Sequence, residues 1–397
     1  MKHRKVMMRY RQFKIVILIS ILIPKFTSAH QFDFQGQASV WGLKNDYNSS
    51  YTYFGFRYVP EGHLIHELNS TFTLDGECSF NIYSNGELQK LSSVTSDSDF
   101  KPYRIWARIA SSQFEARLGL QKLNFGPAML LRPLMWFDSI DPRDPLQVTD
   151  GVYGLLFKYY FVNNANIWLW GLYGNDKLKG WEFIPSDKKS PEVGGRVQIP
   201  VSTGEMAVTY HRRQVDATTI LDSRYTSLLR LLNISESDLK PMENRIGLDG
   251  KWDVSVGVWF EGALSHYETD LIPQTWTRAF TLGMDYTFGI GNGLHAVGEY
   301  FQLKYTEKAF GSGEGVTFFA GSFGYPVGIL DNLQAIFFYD QENEDFYHFL
   351  NWQRTYDSWS FHIITFWNPD SYQIYQTQTN INLMSGKGIQ IMAVFDH

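Results

Sequence analysis

Residues 126–151 read GPAMLLRPLMWFDSIDPRDPLQVTDG, and this stretch concentrates side chains able to touch a solute or an ion. It holds four prolines, Arg132 and Arg143, and the acids Asp138, Asp141, Asp144 and Asp150. It is too long for a tight turn. At 129–131 and 134–137 it is also too apolar to float in water. Such a segment is expected to fold into the mouth of the protein and narrow whatever passage lies there. Leu134, Met135, Trp136 and Phe137 would then be buried against a wall. Four Asp within 13 positions are also the donor type that calcium takes. The pairs at Asp141 and Asp144 equally suit turn initiation before Pro, and a purely structural fold-over needs no ligand.

A second set of charges falls on alternate positions. In 113–121, Gln113, Glu115, Arg117, Gly119 and Gln121 alternate with Phe114, Ala116, Leu118 and Leu120. The same period of two recurs at 192–199 and 243–252, the signature of half-buried strands. If the apolar face meets lipid, the other face carries Arg104, Arg108, Glu115, Arg117, Glu192, Arg196, Glu243, Arg245, Asp249, Lys251, Asp253 and Glu261. Basic and acidic members are equal in number, so such a wall would favour neither ion sign strongly along its length. These residues either brace one another or meet solute. Arg117, Arg132, Arg143, Arg196 and Arg245 are those expected to contact solute, with Asp138 and Asp141 shaping the narrowing.

Strong catalytic motifs are missing. The chain has no phosphate-cradling glycine loop, no paired CxxC and no HExxH, so no metal or other cofactor is called for. A nucleophile with its base cannot be read from sequence order, and His211, His266 and His295 are the histidines expected on walls. The single cysteine, Cys78, rules out a disulfide framework and is expected to be a buried small hydrophobe.

The elements that must position these residues follow from composition and punctuation. The chain has 397 residues, 16% of them aromatic, yet its mean hydropathy is only −0.25. After the first 30 positions no apolar run reaches the roughly 18 residues of a spanning helix. Residues 1–29 have a basic head, a short apolar run and a small-residue site at 27–29, and read as a cleaved signal peptide. Its removal takes seven Lys/Arg and no acid, leaving 28 basic against 41 acidic side chains. So acidic a chain is a poor partner for nucleic acid.

Residues 30–397 read as one domain of long strands, among them 254–267, 275–288, 294–305 and 372–383. Strands of about ten residues suit a tilted crossing of a bilayer. Short turns are expected at 111–112, 163–164, 202–204, 289–292 and 331–332, and long loops at 85–102, 124–150, 175–191 and 216–242. A short helix is expected at 217–233. Tyr58, Tyr159, Tyr160, Phe161, Trp168, Trp170, Tyr173, Tyr286 and Phe288 gather near strand ends, as interfacial girdles do. Counting gives 19 or 20 strands, depending on whether 63–84 is divided. The even number required of bacterial barrels leads to an expected 18, within a range of 16–20.

The run Arg117-Leu118-Gly119-Leu120-Gln121-Lys122, followed by Phe125-Gly126 and the Asp/Pro-rich loop, resembles the alginate-export-type outer-membrane barrels. Those proteins have an R-x-G-x-Q strand leading into a long inward loop. The motif covers about 35 residues. Residues 388–397, with Phe395 third from the end, resemble a barrel-assembly signal. The resemblance implies a porin-like outer-membrane β-barrel whose partners are outer-membrane lipid, the assembly machinery and a small polar or oligosaccharide-like solute. A plugged barrel serving as an envelope scaffold and a rim-located hydrolase are the alternatives.

Overall fold

The computed structural model describes residues 30–46, 51–89, 93–221, 234–370 and 383–397. The expected alternation becomes eighteen strands: β1 (His30–Asn45), β2 (Tyr51–Glu67), β3 (Thr73–Gln89), β4 (Ser93–Ala110), β5 (Phe114–Gln121) and β6 (Val152–Tyr160). They continue with β7 (Asn166–Leu172), β8 (Glu192–Val201), β9 (Gly204–Gln214), β10 (Met242–Asp253), β11 (Gly257–Tyr267) and β12 (Trp276–Phe288). The last six are β13 (Leu294–Thr306), β14 (Gly313–Pro326), β15 (Asp331–Asp340), β16 (Asp345–Thr355), β17 (Trp359–Trp367) and β18 (Lys387–Asp396).

Each strand pairs antiparallel with its neighbours in the chain. β1 also pairs with β18, from Gln37 opposite Asp396 to Asn45 opposite Gly388, so the sheet closes into a barrel. One rim carries connections of only two to five residues, such as 111–113, 202–203 and 254–256. The opposite rim carries 122–151, 173–191, 215–241 and 368–386. Successive side chains of a strand point to opposite faces. On β10, Glu243, Arg245 and Asp249 are therefore buried inside, while Ile246 and Leu248 are exposed outside.

A barrel of this size leaves a hole wider than its own side chains fill. Here the 122–151 loop enters that hole. Phe301, Phe318, Phe338, Phe349 and Phe366 face inward from β13 to β17, each at most 4% exposed. They form one core with Leu130, Leu131, Leu134, Met135 and Trp136 of the loop. Against β13–β17 the interior is thus packed and apolar, where a water-filled channel would be polar.

Several expectations are corrected. Residues 85–89 and 93–102, expected in a loop, are the tall ends of β3 and β4. β5 pairs only with Ile105–Ala110 of β4. The rest of β4 therefore stands past its short neighbour, and its polar tip at 95–100 is exposed on both faces. The turn expected at 331–332 lies at 327–330, with Asp331 opening β15. Cys78 is exposed on the outer face of β3, because in a barrel the apolar positions point outward. Trp168 and Trp170 face inward on β7 and join no girdle; Tyr173, Tyr286 and Phe288 are exposed outside. The helix expected at 217–233 shows one 3-10 turn at Ala217–Thr219. Most of the remainder of that helix, the strand expected at 372–383 and the signal segment 1–29 lie outside the described residues.

Candidate constriction site

The loop is held by two carboxylates of the barrel wall. Glu299 on β13 accepts from the backbone N–H groups of Met129 (2.7 Å), Leu130 (3.0 Å) and Leu131 (2.7 Å), and from the Trp259 indole (3.1 Å). Glu261 on β11 accepts from Ala128 N–H (2.7 Å) and Leu134 N–H (3.1 Å). Between them on β12, the Thr281 hydroxyl donates to Leu131 O at 2.6 Å. Two glycines permit this approach. Gly126, at φ +91°, lies so close to Glu261 that a Cβ would collide with its carboxylate, and a Cβ on Gly283 would collide with the Trp259 ring.

Farther along, the loop holds itself. Arg132 pairs with Asp138 at 2.9 Å, and its backbone O accepts from the Trp181 indole at 3.0 Å. Arg143 pairs with Asp141 at 2.6 Å and lies over the Phe349 ring at 4.9 Å. Asp150 meets Lys101 of β4 at 2.7 Å and Lys177 at 2.9 Å. Burial pushes the Asp150 carboxyl up, but the two lysines outweigh it and hold the group well below the usual carboxylate range. Phe125 stacks on Trp170, and Phe137 meets the His211 ring edge-on at 4.9 Å. As expected, Leu134, Met135, Trp136 and Phe137 are buried. The acids do not converge on a cation: Asp138, Asp141 and Asp150 each have a basic partner. Among the described residues no group of three or more His, Cys, Asp or Glu is placed to hold a metal.

All twelve wall residues sit on inward-facing positions of their strands, and most are closed off there. Arg196 grips Asp249 (2.5 and 2.8 Å) and the Thr209 hydroxyl. Glu243 bridges Arg213 (2.5 Å) and Arg245 (2.8 Å), and Glu182 of the 173–191 loop meets the same two arginines. Glu192 meets His211 at 3.1 Å. Arg104 donates to Thr149 O at 2.9 Å and so ties the loop's far end to β4. Arg132, Arg196 and Arg245, expected to contact solute, are placed in buried ion pairs with Asp138, Asp249 and Glu243, and the Nε atoms of Arg196 and Arg245 are left without a hydrogen-bond partner.

Toward the short-turn rim the wall is wetter. Arg108 forks onto Asp75 (2.6 and 2.9 Å) and reaches Glu115 at 3.1 Å, while Lys158 meets Glu115 at 3.1 Å. Arg117, directly opposite Arg108 in the register, lies over the Trp106 ring at 4.5 Å and only 3.9 Å from Glu115. Lys251 is half-buried near Trp259 at 5.8 Å, and Asp253 is exposed at the rim.

What remains open lies around the loop. A cavity of ≈ 250 Å³ separates Asp141, Arg143, Asp144, Leu146 and Val148 from the inner face of β1–β4 and β18. A second, of ≈ 220 Å³, lies between Trp136, Trp181 and the β10–β13 wall, and one of ≈ 90 Å³ lies under Pro142 and Gln147. Sequence reasoning missed the first cavity's wall: Arg57 on β2, Asn81 and Tyr83 on β3, and Lys101 on β4. It also missed the clamps Glu299, Arg213 and Glu182. Phe54 and Phe56 flanking Gly55 and Arg57 carry the period of two that would have exposed the first. Of the three histidines singled out, His211 is buried, His266 stacks on Trp276 at 4.2 Å, and His295 lies 3.1 Å from Thr287 Oγ1. Asp285 Oδ2 lies 3.8 Å from the other ring nitrogen of His295.

Comparisons with solved structures place this architecture among outer-membrane barrels. The fold is similar to OmpT, an outer membrane protein of Vibrio cholerae, at a TM-score of 0.53 and 11% identity, covering 93% of this chain and 100% of that one. It is similar to OccAB4 of Acinetobacter baumannii (TM-score 0.55, 8% identity, 94% and 99% covered) and to OccK5 of Pseudomonas aeruginosa (0.55, 9%, 92% and 98%). At such identities the shared property is the fold. No protein-family model and no curated protein sequence matches the chain.

Proposed function

We propose that the chain is a bacterial outer-membrane channel through which small polar solutes diffuse, with the 122–151 loop as its constriction. The observation that carries this reading is a closed barrel whose inward loop is clamped to the wall by Glu261 and Glu299, with solvent-sized space left beside it. In this reading residues 1–29 are a signal peptide, 30–397 form a single barrel domain, and Phe395 belongs to the strand read by the assembly machinery. The work is done by bore and wall polarity, not catalysis, and no cofactor takes part. Kinship with the alginate-export-type barrels rests on the Arg117–Gln121 strand, whose Gln121 side chain donates to Arg117 O (3.2 Å) and Gly154 O (3.0 Å) just before the chain turns inward. Oligosaccharides are the upper end of the proposed cargo.

The tight packing around the loop favours a second reading, a barrel plugged by its own loop that docks an envelope partner. Swelling of vesicles carrying the protein separates the two. A channel admits glycine and arabinose and slows sharply toward trisaccharides. Vesicles that admit none of these, with the barrel shown to be folded, would rule out the channel and leave the plug.

A further inference from the structure

The ≈ 250 Å³ cavity contains two polar side chains that the protein itself leaves unused. Arg57 makes no hydrogen bond or ion pair with any described residue, and its Nε is buried. Asn81 is 2% exposed, and its Oδ1 has no partner. Buried polar atoms are nearly always satisfied, so an orphaned pair on one cavity wall calls for an explanation. The register puts the two together. Arg57 lies opposite Tyr83, and Asn81 is the next inward residue along β3, a diagonal of about 7–8 Å.

The surroundings decide what would fit. The other cations on the cavity, Lys101 and Arg143, are already neutralised by Asp150 and Asp141. The remaining acid on this wall, Asp144, accepts from Leu146 N–H at 3.0 Å and forms no ion pair with Arg57. The indole of Trp41 lies against Gly55, where a Cβ would collide with it, and Leu146 and Val148 of the loop line the opposite side. Among the described residues, a cation whose Nε is unpaired, an unpaired amide acceptor and an apolar slot stand within a single cavity.

We propose that this cavity binds a small monoanion that carries a hydrogen-bond donor close to its charge and an apolar body, as an N-acylated amino acid does. The carboxylate accepts from Arg57, the N–H donates to Asn81 Oδ1, and the body lies between Trp41 and Leu146. The site deepens the channel reading and rests on it only for the consequence that Arg57 sets ion preference.

The test uses the full protein folded in detergent and in planar bilayers, with N-acetyl-leucine as probe and its uncharged amide as control. Calorimetry is expected to show binding of the anion and none of the amide. Arg57→Gln should weaken binding about tenfold or more, as loss of a charge-assisted hydrogen bond does. Asn81→Leu should weaken it less, and Asn81→Asp, which keeps the shape, should abolish it. In a salt gradient the wild type should prefer chloride over potassium, and Arg57→Gln should lose that preference. Heat-modifiable gel mobility confirms that each variant is folded. Equal binding and equal selectivity in wild type and Arg57→Gln would overturn the proposal while leaving the channel intact. Binding that depends on Arg57 in a barrel that never conducts would keep the site and overturn the channel.

Discussion

At Glu299 one carboxylate answers four donors, three of them successive backbone N–H groups of an inserted loop. Removing it strands those groups in a dry interior, and a buried donor left unpaired costs about 1–3 kcal/mol. Glu299→Ala is therefore expected to loosen the loop by several kcal/mol without opening the wall, because the β12–β13–β14 ladders do not involve its side chain. Single-channel recording should show added noise and larger sublevels. Glu299→Gln, which keeps one acceptor oxygen, should fall between. A Glu299→Ala channel as quiet as wild type would mean that apolar packing alone holds the loop. The sequence marked Glu261 as an inward residue but could not show what it holds, since its partners Ala128 and Leu134 lie more than 120 positions away. The pairing of Arg196 and Arg245 was hidden for a related reason. Their inward direction follows from the period of two, but their partners Asp249 and Glu182 depend on which strands and loops meet.

Strands carry a different lesson, visible at adjacent residues of β14. Phe318 faces inward and is fully buried, whereas Phe319 faces outward and is 48% exposed. Phe→Ala in a packed core costs about 3–5 kcal/mol. Phe318→Ala should lower stability by that amount in urea unfolding from lipid vesicles, and Phe319→Ala by markedly less, since lipid fills the space it leaves. Equal losses would contradict the packed-interior half. Most of the fold was legible at this scale: the alternation, the short-turn rim and the inward loop follow from residue pattern, whereas counting segments gave 19 or 20 strands and only the even-number requirement led to eighteen. The failures have a common cause. Where strands run beyond their neighbours, as at 95–100 of β4, both faces are exposed and polar, and the pattern reads as a loop. Where the interior is a core instead of water, inward Trp168 and Trp170 mimic an interfacial belt.

For the molecule as a whole, the structure reconciles a wide barrel with a narrow passage. Eighteen strands would enclose an open aqueous bore, yet one segment of chain fills much of it, and the wall's charges are largely spent holding that segment and one another. In the proposed channel, conduction is left to the space between the loop and β1–β4, which Arg57 and Asn81 line. The wall predicted to be balanced in sign is balanced by contact, so its ion preference falls to a few residues rather than to its net charge. The most direct test is the single-channel conductance of a variant lacking residues 130–145, compared with wild type after both are shown to be folded by heat-modifiable mobility. The account predicts a several-fold larger conductance, because the deletion removes Arg132, Leu134, Trp136, Asp138 and Arg143 from the lumen. Unchanged conductance from a folded barrel would contradict the loop's role as the constriction.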